Sequence, residues 1–411
     1  MLQMKSYLKA YHPIVHLLLL GTIFISLTSS MSVIYLPIYL MNSAKLDPIT
    51  LGFIVGAGAL TATIGGFLGG TLSDFFGRNR LMRGTLIVLG FIFIGFIFTS
   101  NTIFLFILNS LRGLFSTFFL AISKALIADL TPKEKRFRVF SDRYMAWNIG
   151  YSVGPIIGTV LGVAGNKIAF ILTAVIYLSY FLLMSVLTRF ITKSEQNEKI
   201  SEKITFSQAW IVFRNDKVLL LFIIGSTLFT AVHAEMSVTF SQYLKMNFTD
   251  GVKFFGYLMS INGITVILTQ VFISRWSERF GILYRIALGG VLFAIGEVGF
   301  AFSNSWMGLI ISMIIFTFGE ILIIPSEYAQ IDEITPYGMR GMYYGAQGFS
   351  EIGNFIGPWF GGILLHSFGG KIMFLTFSMF SLLSIAFYFW GRKLHLSKQT
   401  FLNKSSTIKS S

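Results

Sequence analysis

The sequence predicts an all-α protein that crosses a membrane twelve times. Three observations carry that expectation: apolar runs of about 20 residues recur end to end, the longest hydrophilic stretch lies near the middle, and basic residues gather on alternate loops. Of 411 residues, 54% are hydrophobic and 12% charged, against about 25% charged in an ordinary soluble domain. The 44 phenylalanines are spread over the whole length and do not cluster in one core. Backbone polar groups inside lipid must satisfy one another, so such runs read as helices.

The spans fall at 14–41, 49–72, 82–99, 102–129, 139–164, 167–190, 217–244, 253–273, 284–302, 305–331, 338–365 and 370–391. Residues 1–191 form a first six-helix bundle and 217–391 a second. Between them runs a linker over 192–216, rich in Lys, Glu, Gln and Ser, and 392–411 is a tail. Of 32 basic residues, the outer loops hold only Lys45, Lys167, Lys245, Lys253 and Lys371. The inner segments hold most of the rest, from Lys5 and Lys9 through Arg78, Arg80 and Arg83 to Lys193, Lys199, Lys203 and Lys409. This bias places both termini, the linker and the tail in the cytoplasm of a plasma membrane.

The net charge of +14 is therefore a topology signal with some attraction to anionic lipid, not a nucleic-acid footprint. Cysteine is absent, which excludes disulfides, thiol metal sites and thiol nucleophiles. No metal-ligand cluster, phosphate loop or G-x-S-x-G elbow is visible, so neither an enzyme nor a cofactor is expected. The first span reads as a retained helix, not a removed signal peptide. Asn247-Phe-Thr249 fits a glycosylation sequon by chance.

The two halves repeat. ADLTPKEKR (Ala128–Arg136) is echoed by DEITPYGMR (Asp332–Arg340), and each is followed by a glycine-proline cluster, GYSVGPIIG (Gly150–Gly158) and GNFIGPWFGG (Gly353–Gly362). A half-chain repeat is the mark of proteins that rock one half against the other.

The loop after the second span reads GTLSDFFGRNR, Gly70 to Arg80. It resembles the signature loop of the major facilitator superfamily, G-x-L-x-D-x-x-G-R, matching at Gly70, Leu72, Asp74, Gly77 and Arg78. The often basic position after the aspartate is Phe75 here. Gly70 and Gly77 permit close helix approach and a tight turn. Asp74 can sit at a neighbouring helix's N-terminus or pair with a basic residue, latching one conformation. Glu278 and Gly281 repeat the spacing in the second half.

Gly150, Gly154, Pro155 and Gly158 in the fifth span resemble the G-x-x-x-G-P-x-x-G-G motif of the superfamily's antiporters. The final glycine is Thr159. The eleventh span carries the motif in full at Gly353, Gly357, Pro358, Gly361 and Gly362. Arg112 in the fourth span resembles the family's membrane-embedded arginine, although Ser116 stands where glycine is usual.

Acids inside spans are costly and mark function. Glu235 lies mid-way along the seventh span beside His233 in sequence. Glu320 and Glu327 lie two turns apart on the tenth, and Pro325 is expected to interrupt the helix between them. In the superfamily fold the first, fourth, seventh and tenth helices line the cavity, which implies that Arg112, Lys124, Glu235, Glu320 and Glu327 face it. His233 reads either as a proton partner or as a histidine bonded to a backbone carbonyl. Being two residues apart, His233 and Glu235 cannot share one helix face. Glu297 in the ninth span is expected on a peripheral helix in a structural role. Glu351 falls in the eleventh. Asp129, Asp142, Asp332 and Glu333 are expected to pair with Arg136, Arg143 and Arg340.

FTFGEILIIPS in the tenth span is similar to the lactococcal multidrug-exporter branch of the twelve-spanner drug:proton antiporters, as is SDRYMAWN from Ser141. The resemblance implies that Glu235 and Glu320 handle protons and drug. It also implies that Asp74, with Asp142, belongs to a conformational switch. The expected function is proton-coupled export of amphipathic or cationic compounds by a monomer. The alternative is a proton symporter importing a sugar, peptide or metabolite.

Overall fold

The apolar runs form helices throughout, and among the described residues every regular element is helical. The structure is a computed structural model that describes residues 11–42, 48–163, 167–192, 206–336 and 338–409. Lys5, Lys9, Lys45, Lys193, Lys199 and Lys203 lie outside them.

The helices are α1 (Pro13–Asn42), α2 (Pro48–Phe76), α3 (Arg78–Phe98), α4 (Thr102–Asp129), α5 (Arg136–Val163), α6 (Ile168–Thr192) and α7 (Phe206–Asn215). They continue with α8 (Lys217–Asn247), α9 (Gly251–Ser277), α10 (Ile282–Phe302), α11 (Trp306–Ile334), α12 (Arg340–Ala346) and α13 (Gly353–Lys409). Side-chain caps start several of them: Asn101 accepts from Ile103 N at 3.0 Å before α4, and Asp216 accepts from Val218 N at 3.0 Å before α8. Each satisfies a first-turn N–H that lacks a helical partner.

Ten stretches of the described residues are long and apolar enough to cross a bilayer. The last, Arg340–Ser397, has 58 residues, about 87 Å if straight at 1.5 Å per residue, where a bilayer needs about 30 Å. It bends at Gly369, whose φ of 80° only glycine adopts readily, and so supplies two spans. Helix α5, with 28 residues, completes twelve; its first two turns carry Arg136, Arg138, Asp142 and Arg143, which lower its mean hydropathy.

The chain divides into two units. The first comprises Met1–Ala209 with Pro336–Gly348, so it takes in α12 from the second half of the sequence. Within it α1 packs on α5, α2 on α4, α3 on α6, and α12 on α2. Stacked rings fill its core, Phe93 on Tyr177 and Phe96 on Phe170, with centroids 5.7 and 5.1 Å apart. The second comprises Trp210–Thr335 with Phe349–Ser411. There α8 packs on α13, and α10 on both α11 and α13. Phe293, Phe300, Phe316 and Phe374 form its aromatic core. Large apolar side chains such as Phe91, Phe98, Phe272 and Phe355 stay exposed, as lipid-facing residues should.

Two expectations need correction, at the eleventh span and at Pro325, and two further helices appear in the linker and the tail. The eleventh span is not one helix: α12 ends at Ala346, a 3₁₀ stretch covers Gln347–Ile352, and α13 begins at Gly353. The cause is close docking of α12. A Cβ on Gly341 would lie 2.2 Å from Gly70 O, and one on Gly345 2.3 Å from Gly66 O, so the α12 backbone is held against α2. The linker is partly helical, because Phe206, Ala209, Trp210 and Phe213 recur at helical spacing in α7; the Phe213 ring meets Phe349 at 5.2 Å. The tail is helical to Lys409, since it continues the last span without a breaker. Pro325 does not interrupt α11, which runs unbroken from Trp306 to Ile334. Its fixed φ suits a helix, and the missing N–H costs one bond in a well-buried segment.

Candidate functional sites

Unit 1 carries an ionic cluster built from the loop between α2 and α3. Gly77 takes φ 91°, a conformation that costs an L side chain strain, and this turn brings Arg78 back beside Asp74. Asp74 Oδ1 accepts from Gly341 N at 2.9 Å and Oδ2 from Met342 N at 2.8 Å. The carboxylate thus satisfies two orphan donors of the first turn of α12, where the helix dipole also favours negative charge. Arg78 reaches Asp74 at 3.0 Å and Asp129 at 2.5 Å, and Arg340 joins Asp129 at 2.7 Å. A Cβ on Gly70 would lie 1.9 Å from Gly341 O, so only glycine allows this approach. Of the pairs expected from sequence, Asp129–Arg340 forms. Arg136 Nε donates to the carbonyls of Ala128 and Thr131, and Glu333 pairs with Arg392 at 2.6 Å. Asp142 accepts from the Tyr11 hydroxyl at 2.9 Å.

Deeper in the same unit, Arg112 Nε donates to Asn109 Oδ1 at 2.7 Å, while Asn109 donates to Ile54 O. Among the described residues no carboxylate pairs with Arg112. Lys124 Nζ donates to Gln347 Oε1 at 3.3 Å.

Unit 2 gathers the acids. His233 Nε2 on α8 lies 2.9 Å from Glu320 Oε1 on α11. Asn262 on α9 donates to the other oxygen of Glu320 at 2.8 Å, and to Thr317 Oγ1 at 2.9 Å. The Glu320 side chain is 4% exposed and His233 48%, so the carboxylate is sheltered and the imidazole is its open side. The histidine therefore bonds a carboxylate. Glu235 turns away from His233, as their spacing requires. It is 0% exposed, and Thr239 Oγ1 donates to its Oε1 at 3.3 Å. Glu327 accepts from the Tyr388 hydroxyl, so Glu320 and Glu327 share a helix but not a site. Glu351 falls in the 3₁₀ stretch, exposed, beside Asn354. Sequence reasoning missed Asn262; an amide inside an otherwise apolar span was the available signal.

The two glycine motifs hold the same kind of place in their units. A Cβ on Gly150 or Gly154 would meet Ile23 O or Leu27 O of α1 at 2.2 and 2.4 Å, and one on Gly353 or Gly357 would meet Thr227 O or Ala231 O of α8 at 2.5 and 2.2 Å. Each stripe lets its helix press on the first helix of its own bundle. In the second stripe Pro358 follows inside α13, and a Cβ on Gly361 would meet Thr239 Oγ1 at 2.9 Å. The side-chain surroundings of Pro155 and Gly158 lie outside what is described.

A protein of two helical units, repeated in packing and carrying a charged inter-helix loop, is a secondary transporter of a known class. Residues 18–351 and 237–409 match the family model of the Major Facilitator Superfamily, and the chain belongs to that superfamily. Its relatives are transporters, not enzymes. It is 33% identical over 383 residues to the MFS-type transporter YqjV of Bacillus subtilis (strain 168), covering 92% of each chain. It is 26% identical to the Na(+), Li(+), K(+)/H(+) antiporter of Planococcus maritimus, over 82% of this chain and 85% of that one. It is 25% identical to the multi-drug resistance efflux pump PmrA homolog of Lactococcus lactis subsp. lactis (strain IL1403), over 93% and 96%. These relatives agree with the drug:proton antiporter group. Among solved structures, a bacterial homologue of the iron transporter ferroportin superposes with a TM-score of 0.76 at 16% identity, over 93% of this chain and all of that one. That likeness concerns the fold.

Proposed function

We propose that this multi-pass membrane transporter exports amphipathic, cationic compounds in exchange for protons by alternating access. The observation that carries the reading is the His233–Glu320–Asn262 cluster. A sheltered carboxylate held by one amide and one imidazole can carry a proton in one state and hold a cationic substrate in another. His233, half-exposed beside it, is the group through which the proton arrives or leaves. A permanent cation such as arginine in the same place would lock the carboxylate in its charged form. Glu235 takes part in the same proton cycle, and Arg112 lends positive charge to the other unit. Asp74, with Gly70, Gly77, Arg78 and Asp142, forms the conformational switch: its bonds to α12 hold in one state and must break in the other.

The efflux-pump and antiporter relatives and the paired proline-glycine stripes support export over import. The bundles 1–191 and 217–391, joined through the 192–216 linker, are the halves that move, with both termini at the cytoplasmic face of the plasma membrane and a monomer as the working unit.

A substrate-panel transport assay under an imposed pH gradient tests this. Wild type should extrude lipophilic cations only when the gradient is present, and Glu320→Gln and Glu235→Gln should each lose gradient-driven extrusion. Wild-type rates in both variants refute the coupling mechanism. Uptake of one defined nutrient instead would establish the symporter.

A further inference from the structure

The sequence gives Glu297 a structural role on a peripheral helix, yet among the described residues its charge has nothing to bind. It is fully buried on α10, and neither carboxylate oxygen has a hydrogen-bond partner among the described residues. Glu235 is equally buried on α8, with Thr239 bonded to one oxygen and the other unpartnered.

The two helices bring these acids to one level. Phe229 of α8 meets Phe293 of α10 with centroids 5.9 Å apart, and Phe240 meets Phe300 at 4.7 Å. Glu235 lies between the two phenylalanines of α8, and Glu297 between those of α10. The two ring contacts set both carboxylates at one depth of the unit. The neighbouring elements offer rings and a hydroxyl at this level: Phe316 of α11, Phe374 and Ser378 of α13, and Phe255 of α9. The titratable groups next along these elements are engaged elsewhere. Glu320 binds His233 and Asn262, and Lys371 lies 4.3 Å from the Phe302 ring.

Two carboxylates removed from water and left without a cation cannot both stay ionised. One proton between them resolves the conflict, because the protonated acid becomes the donor its neighbour lacks. A metal ion suits the place less well: two carboxylates and one hydroxyl fall short of the six to eight oxygens a hard cation such as calcium gathers.

We propose that Glu235 and Glu297 form a buried acid pair that shares one proton, a second proton-carrying site beside the His233–Glu320 contact. This deepens the export reading by giving Glu235 a partner, but its test does not depend on transport.

The experiment is infrared difference spectroscopy of the purified full-length protein in lipid nanodiscs, titrated with pH in choline chloride and again in sodium chloride. Wild type should show a protonated-carboxyl band absent from the Glu235→Gln/Glu297→Gln double variant, lost in two separated steps as pH rises. Each single variant should lose its band in one step, because a coupled pair titrates as a unit. Should Glu297→Gln not fold, Glu297→Met replaces it, since an apolar side chain of similar volume suits a dry core. The proposal is overturned if the double variant keeps the wild-type band, or if the single variants each retain one of two steps unmoved. It is also overturned if sodium abolishes the band at constant pH, which would mark a sodium site. Failure of drug transport with the two-step titration intact would refute the export reading and leave the acid pair standing.

Discussion

The ionic cluster of unit 1 and the buried acids of unit 2 treat their carboxylates in opposite ways. In unit 1, Asp74 and Asp129 are matched by partners that never lose their charge or polarity: backbone N–H groups of α12 and the guanidinium groups of Arg78 and Arg340. In unit 2, Glu320 is held by an imidazole and an amide, and among the described residues Glu235 and Glu297 have one hydroxyl between them. Permanent partners suit a contact that is made or broken as a whole. Titratable and missing partners suit groups that gain and lose protons. The packing was duplicated, with Gly150 and Gly154 on α1 mirrored by Gly353 and Gly357 on α8; the chemistry was not.

Six substitutions at five positions probe that contrast. The largest effect belongs to Glu320→Gln, which should reduce proton-coupled extrusion by about 10²-fold, the scale of a lost proton-transfer group, while the protein still folds; vesicle transport rates check it. Asp74→Ala comes next. It strands two N–H donors and uncouples Arg78, at about 3 kcal/mol, and should appear as a lowered thermal midpoint and faster proteolysis around α12. The same change made as Asp74→Asn should cost less, because the amide oxygen still accepts one bond.

Gly150→Ala and Gly353→Ala should each cost about 1–3 kcal/mol by overpacking. Comparable losses in thermal stability would show that both bundles depend on their stripes, whereas a cost in one alone would break the parallel. Smallest is Arg340→Lys. The Arg340–Asp129 pair is about a quarter exposed on both sides, so the change should cost about 0.5 kcal/mol and fade with added salt, measured by unfolding in low and high salt.

Much of this was legible in the sequence. Hydropathy gave the spans because lipid leaves the backbone few choices. Gly70, Asp74, Gly77 and Arg78 announced the ionic cluster because its chemistry is local. The break in the eleventh span was not legible, since it arises from α12 docking at Gly66 and Gly70, far away in sequence. Nor could the sequence pair His233 with Glu320 or Glu235 with Glu297: a helical period tells which residues share a face, not which helix lies opposite. Glu297 looked peripheral because its helix number, not its neighbours, was all the sequence supplied.

The claim that the acids of unit 2 carry the coupling is tested most directly by drug-driven proton movement in inverted vesicles. Wild type should move protons when drug is added. Glu320→Gln should bind a cationic drug more weakly and move no protons even at saturating drug, while Asp74→Asn should slow drug and proton flux together at an unchanged ratio. Wild-type proton movement in Glu320→Gln would contradict the account.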